Sequence, residues 1–227
     1  MPVRAVLIDV GGPLDTEVSA EALIDRQIRL ALSAEGIDVS DEEYEAANRW
    51  AIDSFAWNTY QAIFWRLSGG DREMAARFRH FSVPNRPFQL RPGISELLAT
   101  LHARGILLGL AANQPAKTLT TLDGLGIGRY FSHREVSAIH GFRKPDVRLF
   151  LRACEELGVS PAETIMVGDR IDNDIVPANS LGIYSILFRT GRHIHQQPRS
   201  LDEVPRAEVH DVPQLAAAIL AALGTCT

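Results

Sequence analysis

The segment VRAVLIDVGGPL, residues 3–14, decides how the whole chain is interpreted. Residues 3–8 are a nearly continuous apolar run, and Asp9 and a Gly-Gly-Pro breaker follow directly. An apolar run of this length that ends in turn-forming residues is typical of a strand buried in a parallel sheet. The pattern therefore predicts that Asp9 lies at the carboxyl end of a buried strand.

Beyond residue 91 the sequence alternates between strand and helix patterns. Strand-like apolar runs lie at 106–111, 131–138, 164–167 and 183–188. Helical patterns lie between these strand-like runs and after the last one. Two of the helical patterns span residues 147–157, which Gly158 follows, and residues 212–223. Repeated strand–helix units predict an α/β fold with a Rossmann-like parallel sheet, in which ligands bind beyond the carboxyl ends of the strands.

Residues 17–82 carry helical patterns and little strand signal. A capping box, Ser40-x-x-Glu43, marks the start of one helix. No linker-like tract or internal repeat separates this region from the rest, so it is interpreted as an insertion. The sequence thus predicts two domains, an inserted helical domain at 17–82 and an α/β core formed by 1–16 and 83–227.

Composition and charge restrict the possible functions. The chain has 227 residues, of which 46% are hydrophobic and 22% charged, so it can bury one core and a smaller accessory unit. A net charge of −5 argues against general nucleic-acid binding, which depends on clustered basic residues. Small molecules are the expected partners.

Cellular location and assembly are expectations from weaker signals. The two cysteines, Cys154 and Cys226, form no CxxC motif, which fits a reducing cytoplasm. The apolar run that ends at Asp9 is too short for a signal peptide or a membrane span, so a cytoplasmic location without membrane contact is expected. No heptad pattern distinguishes a monomer from a homodimer.

Four polar segments share one position, directly after an apolar strand or at the start of the next helix. They are Asp9-Val10-Gly11-Gly12, Ala112-Asn113, Arg143-Lys144-Pro145-Asp146 and Gly168-Asp169-Arg170-Ile171-Asp172-Asn173-Asp174. Strand ends of this kind meet in one cleft. Three aspartates there would repel one another without a hard cation, and Mg²⁺ prefers oxygen ligands. The sequence therefore predicts a Mg²⁺ site formed by Asp9, Asp169 and Asp174.

These segments resemble the four motifs of the haloacid dehalogenase superfamily, in the family's order and approximate spacing. GFRKPDVRLF, residues 141–150, and VGDRIDNDI, residues 167–175, are similar to the third and fourth motifs of its phosphatase branch. The resemblance covers nearly the whole chain. It implies that the helical insert is a C1-type cap, which closes over the site and selects the substrate.

The resemblance also implies a chemical role for each motif. Asp9 would attack phosphorus to form an aspartyl-phosphate, which water then hydrolyses. Lys144 would balance the negative charge of Asp9 and of the phosphoryl group. The implied metal ligands are Asp9, the backbone carbonyl of Gly11, Asp169 and Asp174, and the implied phosphate contacts are Gly12, Asn113 and Lys144.

Three positions depart from the family's pattern. Gly11 stands where phosphatases of the family usually carry the aspartate that acts as general acid and base, and losing such a group costs about 10²–10⁴-fold in rate. Ala112 replaces a hydroxyl residue that would give the phosphoryl group one hydrogen bond, worth about 1–3 kcal/mol. Pro13 stands where Thr or Val is common and has no N–H to offer an anion.

Three functional hypotheses follow. The first is a Mg²⁺-dependent phosphatase of a small phosphorylated metabolite, slowed by the absence of the acid at Gly11. The second is a binding or regulatory module that retains the fold but turns over weakly, and Gly11 and Ala112 favour it. The third is a metal-independent 2-haloacid dehalogenase, ranked last because such enzymes generally carry Ser-Ser-Asn where this chain has Gly168-Asp169.

Several other polar or aromatic residues receive structural interpretations. Asp172 is expected to face solvent or cap a helix. The alternative role of Asn113 is to cap the helix that Pro115 opens. His193 and His195 lack a third ligand and are expected to be solvated. Three tryptophans at helical spacing are expected to lie in the core of the insert, namely Trp50, Trp57 and Trp65.

Overall fold

The computed structural model describes residues 2–78, 86–134 and 136–224. The chain forms two compact units: unit 1 consists of Met1–Thr16 and Gln89–Thr227, and unit 2 of Glu17–Phe88. The predicted boundary between residues 82 and 83 lies outside the described residues. Among the described helices, none combines the length and the apolar character that crossing a membrane requires.

Unit 1 contains a five-stranded sheet in which all neighbouring strands are parallel. The strands are β1 (Ala5–Ile8), β2 (Leu107–Leu110), β3 (Thr164–Gly168), β4 (Tyr184–Phe188) and β5 (Ala207–Val209), in the spatial order β2-β1-β3-β4-β5. The α/β, Rossmann-like fold predicted from the alternating pattern is confirmed. All side chains of β1 and β3 are buried, as expected for central parallel strands.

The strand register brings the predicted motifs to one edge of the sheet. Ile8 pairs with Leu110 on one side and with Val167 on the other. These three neighbouring strands therefore end at about the same level, and Asp9 and Gly168 directly follow Ile8 and Val167. This alignment follows from apolar runs that end at matching positions.

Helices α5 to α10 belong to unit 1. They span Ile94–Ala103, Lys117–Gly124, Ser137–His140, Val147–Leu157, Val176–Ser180 and Val212–Gly224. The α8 helix has the predicted ends: the Asp146 side chain accepts a hydrogen bond from the N–H of Arg148, and Gly158 ends the helix at φ 64°. Leu149 and Phe150 of α8 belong to a buried cluster that includes Leu7 of β1.

Two strand predictions were wrong in this unit. The described residues of the stretch 131–138, which are 131–134 and 136–138, form no strand: His133 makes an isolated bridge with Gly109, and a short helix begins at Ser137. The second error was the omission of β5. Its three residues carry only one fully buried side chain, Val209, which is too short a pattern to recognise.

Unit 2 consists of helices α1 to α4 in the described part of the chain. They span Val18–Ala34, Asp41–Asp53, Thr59–Leu67 and Arg72–Phe78. The predicted capping box at the start of α2 is confirmed: the N–H of Glu43 donates to the Ser40 hydroxyl at 3.2 Å, and the N–H of Ser40 donates to the Glu43 carboxylate at 2.9 Å.

The tryptophan prediction was wrong for two of the three residues. Trp57 is 65% exposed and Trp65 is 42% exposed. In α3 it is the preceding residues, Ile63 and Phe64, that face the core, where Phe64 stacks on Phe78 at 4.0 Å between ring centroids. Trp65 instead stacks on Trp50, which packs partly buried against the same core.

Candidate active site

Three aspartates converge where β1 and β3 end. Asp9 follows β1, and its backbone N–H donates to Val167 O at 2.9 Å. Asp169 and Asp174 lie in the turn that follows β3, and all three side chains are buried. One oxygen from each of Asp9, Asp169 and Asp174 lies within 4.8 Å of the others. The residues predicted from sequence as carboxylate ligands are therefore brought together.

A lysine ammonium lies between two of these carboxylates. Lys144 Nζ is 2.6 Å from Asp174 Oδ1 and 2.8 Å from Asp9 Oδ2, and its side chain is only 2% exposed. The Asn113 amide holds the Lys144 backbone: its Oδ1 accepts from Lys144 N at 2.8 Å, and its Nδ2 donates to Lys144 O at 3.0 Å. The motifs after β2 and before α8 thus position the cation.

Asn113 does not cap the following helix. Helix α6 begins at Lys117, and its N-cap residue is Ala116, which makes no side-chain capping bond. The alternative role given to Asn113 from the sequence was therefore wrong. Its Nδ2 carries two hydrogens, and Lys144 O accepts one of them, so the phosphoryl contact stays a prediction.

The cluster carries more negative than positive charge. Burial raises the pKa of Asp169 well above its usual range, and the carboxylates of Asp174 and Asp9 raise it further. Burial also raises the pKa of Asp174 to about 6, although Lys144 opposes the shift. Burial alone would lower the pKa of Lys144, but Asp174 and Asp9 outweigh it and raise that pKa.

A divalent cation suits this donor set. The cluster holds three buried carboxylates, of which two pair with the Lys144 ammonium, and metals such as Mg²⁺ bind through carboxylate oxygens. The cation would remove the repulsion that raises the carboxylate pKa values. The fit of a divalent cation rests on the negative charge of the three carboxylates and on the short distances between their oxygens. The Gly11 carbonyl stays a predicted fourth ligand.

Two glycines allow the carboxylates to approach the backbone. A Cβ at Gly12 would lie 2.7 Å from Asp169 Cβ, and Gly12 has a φ of +77°. A Cβ at Gly168 would lie 2.2 Å from Asp174 Cγ. Real Cβ atoms do not come this close, so neither position accepts a larger residue without moving a carboxylate.

Arg91 lies beside the cluster and was not predicted from the sequence. Its Nε donates to Gly12 O at 2.7 Å and its Nη2 donates to Thr190 Oγ1 at 2.8 Å. The guanidinium lies 4.7 Å from the centroid of the Phe188 ring. Burial lowers the pKa of Arg91 and the Asp169 carboxylate opposes that shift, but an arginine keeps its charge in proteins. Arg91 therefore ties the Asp9 loop to the loop after β4.

Two expectations about solvated side chains were wrong. Asp172 is largely buried, and its carboxylate pairs with the Arg170 guanidinium. Burial alone would raise the pKa of Asp172, but Arg170 outweighs it and lowers that pKa. His193 is buried with Nδ1 3.8 Å from Asp169 Oδ2, and burial lowers its pKa to about 3, so the ring is neutral at pH 7. His195 is exposed, as expected.

Comparison with known proteins identifies the family. The family model of haloacid dehalogenase-like hydrolases matches residues 3–182. The chain belongs to this family. It is 30% identical to glyceraldehyde 3-phosphate phosphatase of Methanopyrus kandleri over 91% of this chain and 93% of that protein. It is also 30% identical to phosphoserine phosphatase of Thermus thermophilus, over 95% of this chain and 92% of that protein.

A solved structure shows the same fold. The HAD hydrolase YfnB of Bacillus subtilis, which was solved bound to magnesium, superposes with a TM-score of 0.69 at 21% identity. The superposition covers 96% of this chain and 99% of that one. The predicted family and hydrolase class are confirmed, and the relatives named above are phosphatases.

Removing the buried ammonium tests the charge balance. Without metal and near pH 8, Lys144→Met leaves Asp9 and Asp174 buried without the cation that they share, so we expect the free energy of unfolding to fall by about 3–5 kcal/mol. The folded-state pKa of Asp174, about 6, lies above its usual 3.8. Ionisation of Asp174 therefore destabilises the fold as pH rises through 6. The loss should shrink near pH 5, where Asp174 is protonated.

Urea unfolding in EDTA, followed by circular dichroism at both pH values, measures this loss. The matched control is Lys117→Met, because Lys117 is exposed and is the only other lysine of the chain. It should change stability by less than about 0.5 kcal/mol. Equal losses for Lys144→Met at the two pH values would contradict this account of the cluster.

Gly12→Ala tests the close approach to Asp169. The added Cβ combines the strain of a positive φ with a contact of 2.7 Å. Gly182→Ala is the matched control, because Gly182 has a φ of +75° and nothing within 4 Å of the added Cβ. We expect the control to lose about 1–2 kcal/mol and keep its Mg²⁺ binding. Gly12→Ala should lose more stability and bind Mg²⁺ more weakly, as measured by thermal unfolding with and without Mg²⁺. Identical behaviour of the two variants would refute the steric argument.

Proposed function

We propose that this chain is a Mg²⁺-dependent phosphatase that acts on a small phosphorylated metabolite through an aspartyl-phosphate. The observation that carries the proposal is the position of Lys144 Nζ between Asp9 and Asp174, in one buried cluster with Asp169. A cluster of this charge suits a cation and a bound phosphoryl group together. The phosphatase names of the two full-length relatives support the same reaction class.

Asp9 is the proposed nucleophile because its carboxylate is held in place at the end of β1. Its Oδ1 accepts from Val10 N at 2.7 Å, and its Oδ2 faces Lys144. One carboxylate oxygen attacks phosphorus, and the bond from phosphorus to the leaving alcohol breaks. Water then attacks phosphorus and releases inorganic phosphate and Asp9. Mg²⁺, held by Asp9, Asp169, Asp174 and the Gly11 carbonyl, would neutralise phosphoryl charge.

Gly11 changes which substrates this site hydrolyses well. An alkoxide leaving group needs a proton, and Gly11 offers none. The next carboxylate along the chain, Asp15, accepts a hydrogen bond from Gln89 N at 2.9 Å and is buried. The proton would then have to come from another source, such as water or the substrate. Substrates with acidic leaving groups should be hydrolysed faster than alkyl phosphates.

The named relatives indicate the size of the substrate. The relatives are named for glyceraldehyde 3-phosphate and phosphoserine, which are both small three-carbon phosphates. We propose a substrate of similar size, met in the cytoplasm, with unit 2 serving as the cap that selects it. Gly12 and Asn113 are the further phosphate contacts that we propose.

A second candidate function is phosphate-ester binding with weak turnover. Gly11 and the buried Ala112 favour it, because both lack side-chain groups that assist the reaction in related phosphatases. The 2-haloacid dehalogenase hypothesis is weaker, since that reaction has no use for the three-carboxylate cluster.

Phosphate release distinguishes these candidates. We expect the protein to hydrolyse p-nitrophenyl phosphate and members of a metabolite panel in Mg²⁺, and to lose this activity in EDTA or with Asp9→Asn. Gly11→Asp should raise hydrolysis of alkyl phosphates by up to about 10²–10⁴-fold, because it restores a general acid. The gain for p-nitrophenyl phosphate should be smaller. Folded, Mg²⁺-binding protein that releases no phosphate would support the binding module, and halide release without Mg²⁺ would support the dehalogenase.

A further inference from the structure

A buried glutamine on the loop after β4 contacts the turn that carries Asp169 and Asp174. The Gln196 side chain is 1% exposed, and both ends of its amide are used. Its Oε1 accepts from Ile171 N at 2.7 Å, and its Nε2 donates to Asp172 Oδ1 at 3.1 Å. A single side chain thus fixes two consecutive residues of this turn.

Gln196 is itself held by its own loop. Its backbone N–H donates to His193 O at 2.9 Å, and its carbonyl accepts from the Arg189 guanidinium. Arg189 Nε in turn donates to Glu208 Oε2 at 3.0 Å, which anchors the loop to β5. The amide is therefore presented to the turn from a rigid support.

The contacts continue from Gln196 to a carboxylate of the cluster. Asp172, which Gln196 holds from one side, accepts from Arg170 Nε at 3.2 Å on the other. The Arg170 backbone N–H donates to Asp174 Oδ2 at 3.0 Å. Asp174 Oδ1 faces Lys144. The orientation of Asp174 thus depends on a hydrogen-bonded chain that starts at Gln196.

We propose that Gln196 is a positioning residue for the metal-binding carboxylates, an inference that rests on the proposed function. Mg²⁺ requires nearly ideal octahedral geometry, so small movements of its ligands weaken binding. Partners behind metal ligands typically contribute 10–100-fold to metal affinity. Gln196 fixes the turn between Asp169 and Asp174, and its removal loosens both ligands while leaving their chemistry intact.

The test compares Mg²⁺ binding in variants of two neighbouring glutamines. Gln196→Ala removes both hydrogen bonds, and Gln196→Glu keeps an acceptor for Ile171 N but places a second carboxylate against Asp172. Gln197→Ala is the control, because Gln197 is exposed and its side chain donates to His195 O. Calorimetry with Mg²⁺ gives Kd, and thermal unfolding in EDTA gives the stability of each metal-free protein.

We expect both Gln196 variants to bind Mg²⁺ about 10–100-fold more weakly and Gln197→Ala to bind within about twofold of the parent. With p-nitrophenyl phosphate, kcat at saturating Mg²⁺ should return to within about threefold of the parent, because bound metal restores the ligand geometry. Parental Mg²⁺ affinity in folded Gln196→Ala overturns the inference. A kcat that saturating Mg²⁺ does not restore overturns it too.

Two further outcomes are distinguishable. If Gln196→Ala fails to fold, Gln196→Met fills the same space without hydrogen bonds, and its Kd decides. If the parent protein itself binds no Mg²⁺, the proposed function fails, whereas normal binding by the parent and by both Gln196 variants rejects the positioning role alone.

Discussion

The ammonium of Lys144, buried between Asp9 and Asp174, is the interaction on which the rest of the site depends. The register of β1 and β3 aligns the aspartates around it. The Asn113 side chain hydrogen-bonds both the N–H and the carbonyl of Lys144 and so holds the lysine backbone in place. A lone ammonium at this depth would be unstable. Its two carboxylate partners stabilise it and raise its pKa, so the cation is permanent at physiological pH.

The third carboxylate distinguishes the cluster from a closed ion pair. With Asp169 present, the negative charges outnumber the ammonium, and burial raises the pKa values of Asp169 and Asp174. Charge imbalance of this kind costs stability and persists where function needs it. Arg91 and Gln196 stabilise the loops on either side of the cluster: Arg91 donates to Gly12 O and to the Thr190 hydroxyl, and Gln196 bonds Ile171 N and the Asp172 carboxylate.

The sequence predicted the parts of the site that have a local pattern. Asp9 and Asp169 follow apolar runs, so their positions at strand ends were predictable, and Lys144 precedes a proline within a recognisable motif. Arg91 and Gln196 lack such a pattern, since they bind backbone atoms 79 and 25 residues away. Burial of His193 likewise depends on how a loop folds back. Trp65 faces outward because Ile63 and Phe64 occupy the core side of its helix, which spacing alone does not reveal.

The central claim is that Asp9 becomes covalently phosphorylated during turnover. The most direct measurement is mass spectrometry of the Asp9 peptide after acid quenching of a reaction with p-nitrophenyl phosphate and Mg²⁺. Because Gly11 supplies no base to activate water, the second step is slowed and the intermediate should accumulate. The account predicts a phosphoryl group on Asp9 that hydroxylamine removes and that Asp9→Asn lacks. A protein that releases phosphate through repeated turnovers without any phosphoryl group on Asp9 would contradict it.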